Sequence, residues 1–340
     1  MVGRLWLLLA ATVLLLALCQ PFMLAQPTLY QSEKRAALEL VQRAQALLGP
    51  QISGPEYTLI TTTLAPPEAK RLSLHPDFAA VAAGWLKQAG IGPGSRVAVN
   101  LSGSFPALNI AVLAAIRAVG AEPVITVSVG ASTWGATDPD FTWLDMEDKL
   151  QQAGLWPWRA AAASIGGVGD NGGGLTPEGK ELALAAIRRS GAPLLAAPDL
   201  RSAINRRLEL YRGAEQELPS VLVNVGGSHV LFGEAGHRAP LPQGLNQGYH
   251  PLLAAQDGLA AAFLQTNRPV IHFLNVRQLA AQYGIAENTQ PGTSGAFLSR
   301  QLPLPLRIVG AVWLVLVFIL LKKNFSPRQD FWFRRSNSNR

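Results

Sequence analysis

Two short runs set serine hydroxyls beside glycines at places where a strand should give way to a helix: Asn100-Leu101-Ser102-Gly103-Ser104-Phe105-Pro106 and Asn224-Val225-Gly226-Gly227-Ser228-His229. In the first, backbone amides and two hydroxyls would converge on one point, which suits a carboxylate or phosphate at a helix N-terminus. The same residue types are ordinary helix caps, so anchoring and capping both stay open. In the second, a serine next to a histidine invites a nucleophile–base reading. Adjacent side chains rarely face one another. His229 would therefore serve a different serine, with Ser104 as the candidate and Asp138 or Asp170 as the acid orienting the ring. Neither G-x-S-x-G nor S-x-x-K occurs, so no local spacing demands a hydrolase.

The segment Trp134–Asp148 gathers Asp138, Asp140, Asp145, Glu147 and Asp148 among aromatic residues. Oxygens in that number suit Ca²⁺ or Mg²⁺. A turn at Asp138-Pro139 and acidic residues in a first helical turn explain them more simply. The histidines lack zinc-ligand spacing, and no metal is expected. The glycine run Gly166–Gly174, with Asp170 and Asn171 at its centre, has neither the Gly-Lys-Ser/Thr of a phosphate loop nor a dinucleotide fingerprint, so no cofactor is expected. Glycines there imply flexibility or close backbone approach, with Asp170 and Asn171 exposed for contact. Arg201, Arg206, Arg207 and Arg212, with Arg188 and Arg189, would form a basic stripe. Glu209, Glu215 and Glu217 dilute it toward a solvated face with local ion pairs.

These residues need elements to place them. Helical periodicity covers 29–48, 76–89, 106–119, 143–153, 177–189, 199–212, 253–266 and 276–283. Apolar runs at 56–63, 96–101, 123–129, 160–165, 193–197, 220–225 and 269–274 read as strands. Their alternation gives an α/β fold, a mainly parallel, Rossmann-like three-layer sheet. In such sheets ligands bind beyond the carboxyl ends of the strands, near the point where strand order reverses. That rule selects Asn100, Ser102, Gly103, Ser104, Asn171, Asn224, Gly227 and Ser228 as ligand-binding candidates. It also marks Ser128, Gly130, Ser132, Asp199 and Asn275. The catalytic candidates are Ser104, His229 and Asp170. The Gly/Pro/Gln-rich loop 233–249 has the composition of a lid or docking loop.

Hydrophobic segments flank this body at 5–25 and 302–321, each near the length a membrane helix needs. The formal charge of +7 lies mostly at the two ends, on Arg4 and on Lys322, Lys323, Arg328, Arg334, Arg335 and Arg340 against Asp330. The body is close to neutral, which argues against a nucleic-acid surface. Basic flanks stay on the cytoplasmic side. The expectation is thus a two-pass protein of the plasma membrane with both termini cytoplasmic and the body outside. Met23 before Ala25 and Leu18 before Cys19 are poor for signal cleavage, so the first segment reads as a retained anchor. The resulting domains are an anchor at 1–25, a helical stalk at 26–50 (or a helix docked on the body), an α/β domain at 51–301, a second transmembrane helix at 302–323 and a basic tail at 324–340.

Taken in order, VAVNLSGSFPALNIAVLAAIRAVGAEPVITVSVGASTWGATDPDFTWLDME (97–147), VLVNVGGSHVLFG (221–233) and RPVIHFLNVRQLA (268–280) resemble the bacterial poly-γ-glutamate system protein family. The resemblance covers most of the body. It implies an accessory role in making or exporting poly-γ-glutamate, with the polymer or another component of that machinery as partner, and supplies no catalytic residues. The expected function is a membrane-anchored accessory protein that binds the polymer or an export component. A hydrolase or transferase that trims the polymer is the alternative, and a solute-binding or sensing domain is the third reading.

Overall fold

Within Arg96–Ser102 and Val221–Val225, positions 97–101 and 221–225 are Val, Leu and Ala interrupted by one asparagine each, and both segments are almost wholly buried. Such continuous apolar strands need cover on both faces, as in a parallel sheet between helices. The computed structural model describes residues 11–14, 24–234, 241–248, 257–301 and 304–325. Its strands in chain order are β1 (Leu24–Pro27), β2 (Thr61–Thr63), β3 (Arg96–Ser102), β4 (Glu122–Ser128), β5 (Ala131–Ser132), β6 (Ala162–Ser164), β7 (Val221–Val225), β8 (Gly244–Asn246), β9 (Val270–Phe273) and β10 (Leu298–Gln301). The chain divides into a large unit, Thr28–Phe297, and a small one made of Met1–Pro27 and Leu298–Arg340.

The large unit holds a six-stranded sheet in the order β6-β4-β3-β7-β9-β8, parallel except for the edge strand β8. Side chains alternate across it. Ala98, Leu222 and Val270 share a cluster with residues of the Leu200–Arg212, His229–Phe232 and Leu259–Gln265 helices. Val97, Val99, Val221, Val223, Ile271 and Phe273 point to the opposite face, where the rings of Trp85 and Phe273 lie 5.0 Å apart. The Pro106–Val119 helix touches β3, β4 and β7 and is buried almost all round, which suits an element sandwiched between a sheet and two further helices. Those helices are Asp77–Gln88 and Gln31–Leu48, so the latter docks on the body through Ala37, Val41, Ala44 and Leu48.

Several expectations need correction. The run at 193–197 makes only an isolated bridge, Ala163 to Leu194. The strand expected at 56–63 shrinks to Thr61–Thr63, which pairs in parallel with Ala131–Ser132. A helix at Pro67–Ser73 and the strand β8, within the expected lid loop, were not signalled by periodicity. The rest of that loop at 235–240 and 249, and the start of the helix expected at 253–266, lie outside the described residues.

In the small unit, β1 and β10 pair antiparallel with Gln26 opposite Ser299. The two-pass membrane placement is corrected: among the described residues, no helix is long and apolar enough to cross a membrane. The second hydrophobic segment forms the Leu304–Phe325 helix, but its uninterrupted apolar run is only Ile308–Leu321, bounded in sequence by Arg307 and Lys322. At about 1.5 Å per residue that run covers roughly 21 Å, against roughly 30 Å of hydrocarbon. Most of the first segment, with Cys19, and most of the basic tail lie outside the described residues.

The acidic segment resolves into helix-start and ion-pair roles, and among the described residues no acidic or histidine cluster could hold a metal. Thr142 and Asp145 form a capping box, and Asp145 takes both Nε and Nη2 of Arg189 at 2.8 Å. Glu147 differs, since it is buried and, among the described residues, accepts only the Ala160 N–H at 2.7 Å. Burial pushes its carboxyl up to about 7, against smaller opposing effects of that N–H and of Arg159. Between about 4.5 and 7 the folded protein keeps a proton that the unfolded chain releases, so this group's stabilisation is lost as pH rises through that window. Glu147→Gln keeps the acceptor for Ala160 without the charge. Urea unfolding should show the variant level with wild type near pH 4 and more stable near pH 8, and equal stability at both would refute a raised Glu147.

Candidate functional site

The strand order reverses between β3 and β7: the chain runs from β3 through β4 to β6 on one side, then returns to β7 and β9 on the other. Loops leaving β3 and β7 therefore diverge, and a crevice must open at their carboxyl ends. A cavity of about 380 Å³ lies there, lined by Ser102, Ser104, Ser128, Ser132, Ser228 and Asp170 among others. Close approach of neighbouring atoms explains two of the adjacent glycines. A Cβ on Gly103 would sit 2.5 Å from the Val129 carbonyl oxygen. One on Gly226, at φ +98°, would sit 2.3 Å from the Ser102 hydroxyl.

Beneath the cavity a row of buried polar side chains crosses the sheet in register: Thr126, Asn100, Asn224 and His272. Thr126 Oγ1 donates to Asn100 Oδ1 at 3.2 Å, Asn100 Nδ2 to Asn224 Oδ1 at 2.7 Å, and Asn224 Nδ2 lies 3.2 Å from His272 Nδ1. Tyr211 closes the row, its hydroxyl 2.6 Å from Thr126 Oγ1. Burial holds the whole row neutral, drawing His272 down to about 4 and pushing Tyr211 up to about 12. Asn100 also donates to Ser228 Oγ at 2.9 Å, and Asn224 Nδ2 to the Gly226 carbonyl at 2.7 Å. The two asparagines thus hold the loop after β7 from below, and neither lines the cavity.

One row further along, Ser128 and Ser164 meet an ion pair. Arg207 Nη1 donates to Asp170 Oδ2 at 2.6 Å, and Asp170 Oδ1 accepts from Ser164 at 2.8 Å and from Ser128 at 3.1 Å. Arg207 Nη2 reaches Ser164 Oγ at 2.9 Å. Arg207 is fully buried, so the proposed arginine stripe loses its central member. Asp170 sits at φ 63°, a conformation that aspartate tolerates better than most residues. Around it the glycine run folds back on itself, with Val168 and Gly173 exchanging N–H···O bonds of 2.9 and 3.1 Å. Asp170 is therefore engaged rather than exposed for contact, and it makes no bond to His229. Asn171 is exposed and does not line the cavity.

The upper wall carries Ser104, Ser132, Gly227, Ser228, His229 and Arg277. Ser104 and His229 do not hydrogen-bond to one another, and the expected nucleophile–base pairing is not formed. Ser104 Oγ instead accepts the Ser132 N–H at 3.1 Å. The group missed from sequence is Lys70, on the Pro67–Ser73 helix. It is buried, its Nζ donates to the Ser104 carbonyl, lies 2.7 Å from Ser132 Oγ and stands 4.0 Å from the centre of the Phe105 ring. Burial draws this amine down to about 7. A two-turn helix after Pro66-Pro67 leaves too little periodicity to recognise, although Pro67 is a standard first helical residue.

No protein-family model, no curated protein and no solved structure matches the chain.

Removing one partner of a buried ion pair strands the other, at a cost of about 3–5 kcal/mol. Arg207→Met should lose stability on that scale in urea unfolding. Adding Asp170→Asn, which tolerates the backbone conformation and removes the stranded charge, should recover part of it. A single variant costing less than about 1 kcal/mol would contradict this account of the cavity floor.

Proposed function

We propose that this protein is an accessory component of poly-γ-glutamate synthesis or export, and that the cleft at the carboxyl ends of β3 and β7 binds an acidic glutamyl chain. The observation that supports this most is the charge of the cleft. Asp170 is the one carboxylate on its described lining, and Arg207 neutralises it. Lys70 lies behind the wall, and Arg277 at the rim meets no carboxylate among the described residues. Serine hydroxyls and glycine amides complete a surface suited to carboxylates and amide carbonyls. The likeness of segments 97–147, 221–233 and 268–280 to the poly-γ-glutamate system family points to the same chemistry.

An exposed arginine contributes through screened attraction, so binding should weaken as salt is raised. Calorimetric titration of the full chain with γ-linked glutamyl oligomers at low ionic strength tests the reading. Binding should fall roughly fivefold or more in Arg277→Glu, the equivalent of about 1 kcal/mol. No heat of binding at low salt, or equal affinity for a neutral glutaminyl oligomer, would refute it.

A further inference from the structure

Lys34 and Lys70 are both buried, yet they differ in surroundings. Lys34 is held by Thr28 Oγ1 at 2.6 Å and the Ala296 carbonyl at 2.7 Å, away from the cavity, as a structural lysine would be. Lys70 abuts the cavity wall, has no carboxylate partner among the described residues, and places its nitrogen against the hydroxyl of a cavity-lining serine. That serine is fixed on both sides. Ser132 lies in β5, whose parallel pairing with β2 holds Ala131 and Thr133 through the Ile60 and Thr63 carbonyls. Its own N–H is held by Ser104 Oγ.

We propose that Ser132 and Lys70 form a nucleophile–base pair that cleaves or transfers an acyl group bound in the cleft. Its substrate class, a γ-glutamyl amide, rests on the binding role proposed above. With Lys70 uncharged, one N–H stays on the Ser104 carbonyl and the nitrogen lone pair is free to accept the Ser132 O–H, since Nζ and Oγ stand 2.7 Å apart, the separation general-base catalysis needs. Ser132 Oγ bonds to the amide carbonyl carbon while its proton passes to Lys70 Nζ. The C–N bond then breaks as the Lys70 ammonium returns that proton to the leaving nitrogen, leaving an ester on Ser132 and an uncharged lysine. Water, deprotonated by Lys70, attacks the ester; the carboxylic acid departs and Ser132 recovers its proton. An incoming amine in place of water gives transfer instead of hydrolysis. Burial lets both forms of Lys70 be populated near neutral pH, as a residue that accepts and returns a proton requires.

A fluorophosphonate, which forms a phosphorus–oxygen bond with an activated serine and expels fluoride, tests the pair directly on the full chain. Intact-mass measurement should show one label, peptide mapping should place it on Ser132, and Ser132→Ala should lose at least 100-fold in labelling rate while its thermal unfolding midpoint stays within a few degrees. Lys70→Met should lose a similar factor. Because that variant can also fail to fold, the wild-type labelling rate is followed with pH and should rise through about 7. No label on folded protein, a label elsewhere, or a rate flat across that range overturns the pair. If labelling fails while glutamyl binding persists, the pair is wrong and the binding role stands. Labelling at Ser132 without glutamyl binding keeps the pair and removes its proposed substrate.

Discussion

A buried guanidinium and a buried carboxylate, 2.6 Å apart, determine what the cleft can be. Neither Arg207 nor Asp170 could be held out of water alone. Together with Ser128 and Ser164 they join the Leu200–Arg212 helix, strands β4 and β6, and the glycine run into one floor. The same pairing cancels the one acidic group on the described lining, which leaves the exposed Arg277 as the lining's unneutralised charge among the described residues. The fold of the cleft floor and its charge thus have a common origin, and the glycines of the run allow the close folding that the pairing needs.

The polar row below carries a second constraint. Four hydrogen-bonding side chains in the middle of a parallel sheet are costly unless each finds a partner. In-register pairing of β4, β3, β7 and β9 supplies those partners, and a one-residue slip of any strand would break the row. The asparagines that look in sequence like ligand-binding residues therefore act one layer down. They fix the strands and hold Ser228 at the cleft. His272, drawn well below its ordinary value by burial, remains an uncharged member of this row.

Much of this architecture was legible because strand and helix periods alternate between 76 and 225, apart from the run at 193–197, and because serines and glycines cluster at strand ends. Ser102, Ser104, Gly227, Ser228, His229 and Asp170 come together as strand-end reasoning suggests, and Gly103 lies beside them on the same loop. What sequence could not show was pairing across the chain. Arg207 falls on a helix with three other arginines, and only the tertiary fold turns it inward against Asp170. Lys70 lies 62 residues before Ser132 on a helix too short to carry a period. Leu194 stands next to Ala163 yet lacks a continuing ladder, so an apolar run of strand type became a bridge. The segment at 302–321 has the overall composition of a membrane span, but Arg307 and two prolines confine its unbroken apolar run to 308–321.

Backbone hydrogen exchange of the full chain, with and without a γ-linked glutamyl oligomer, tests the placement of the ligand most directly. Binding in the cleft should slow exchange in peptides covering 102–105, 130–133 and 226–229 together, since those loops line one cavity. Protection confined to other segments, with these three unchanged, would contradict the cleft as the binding site.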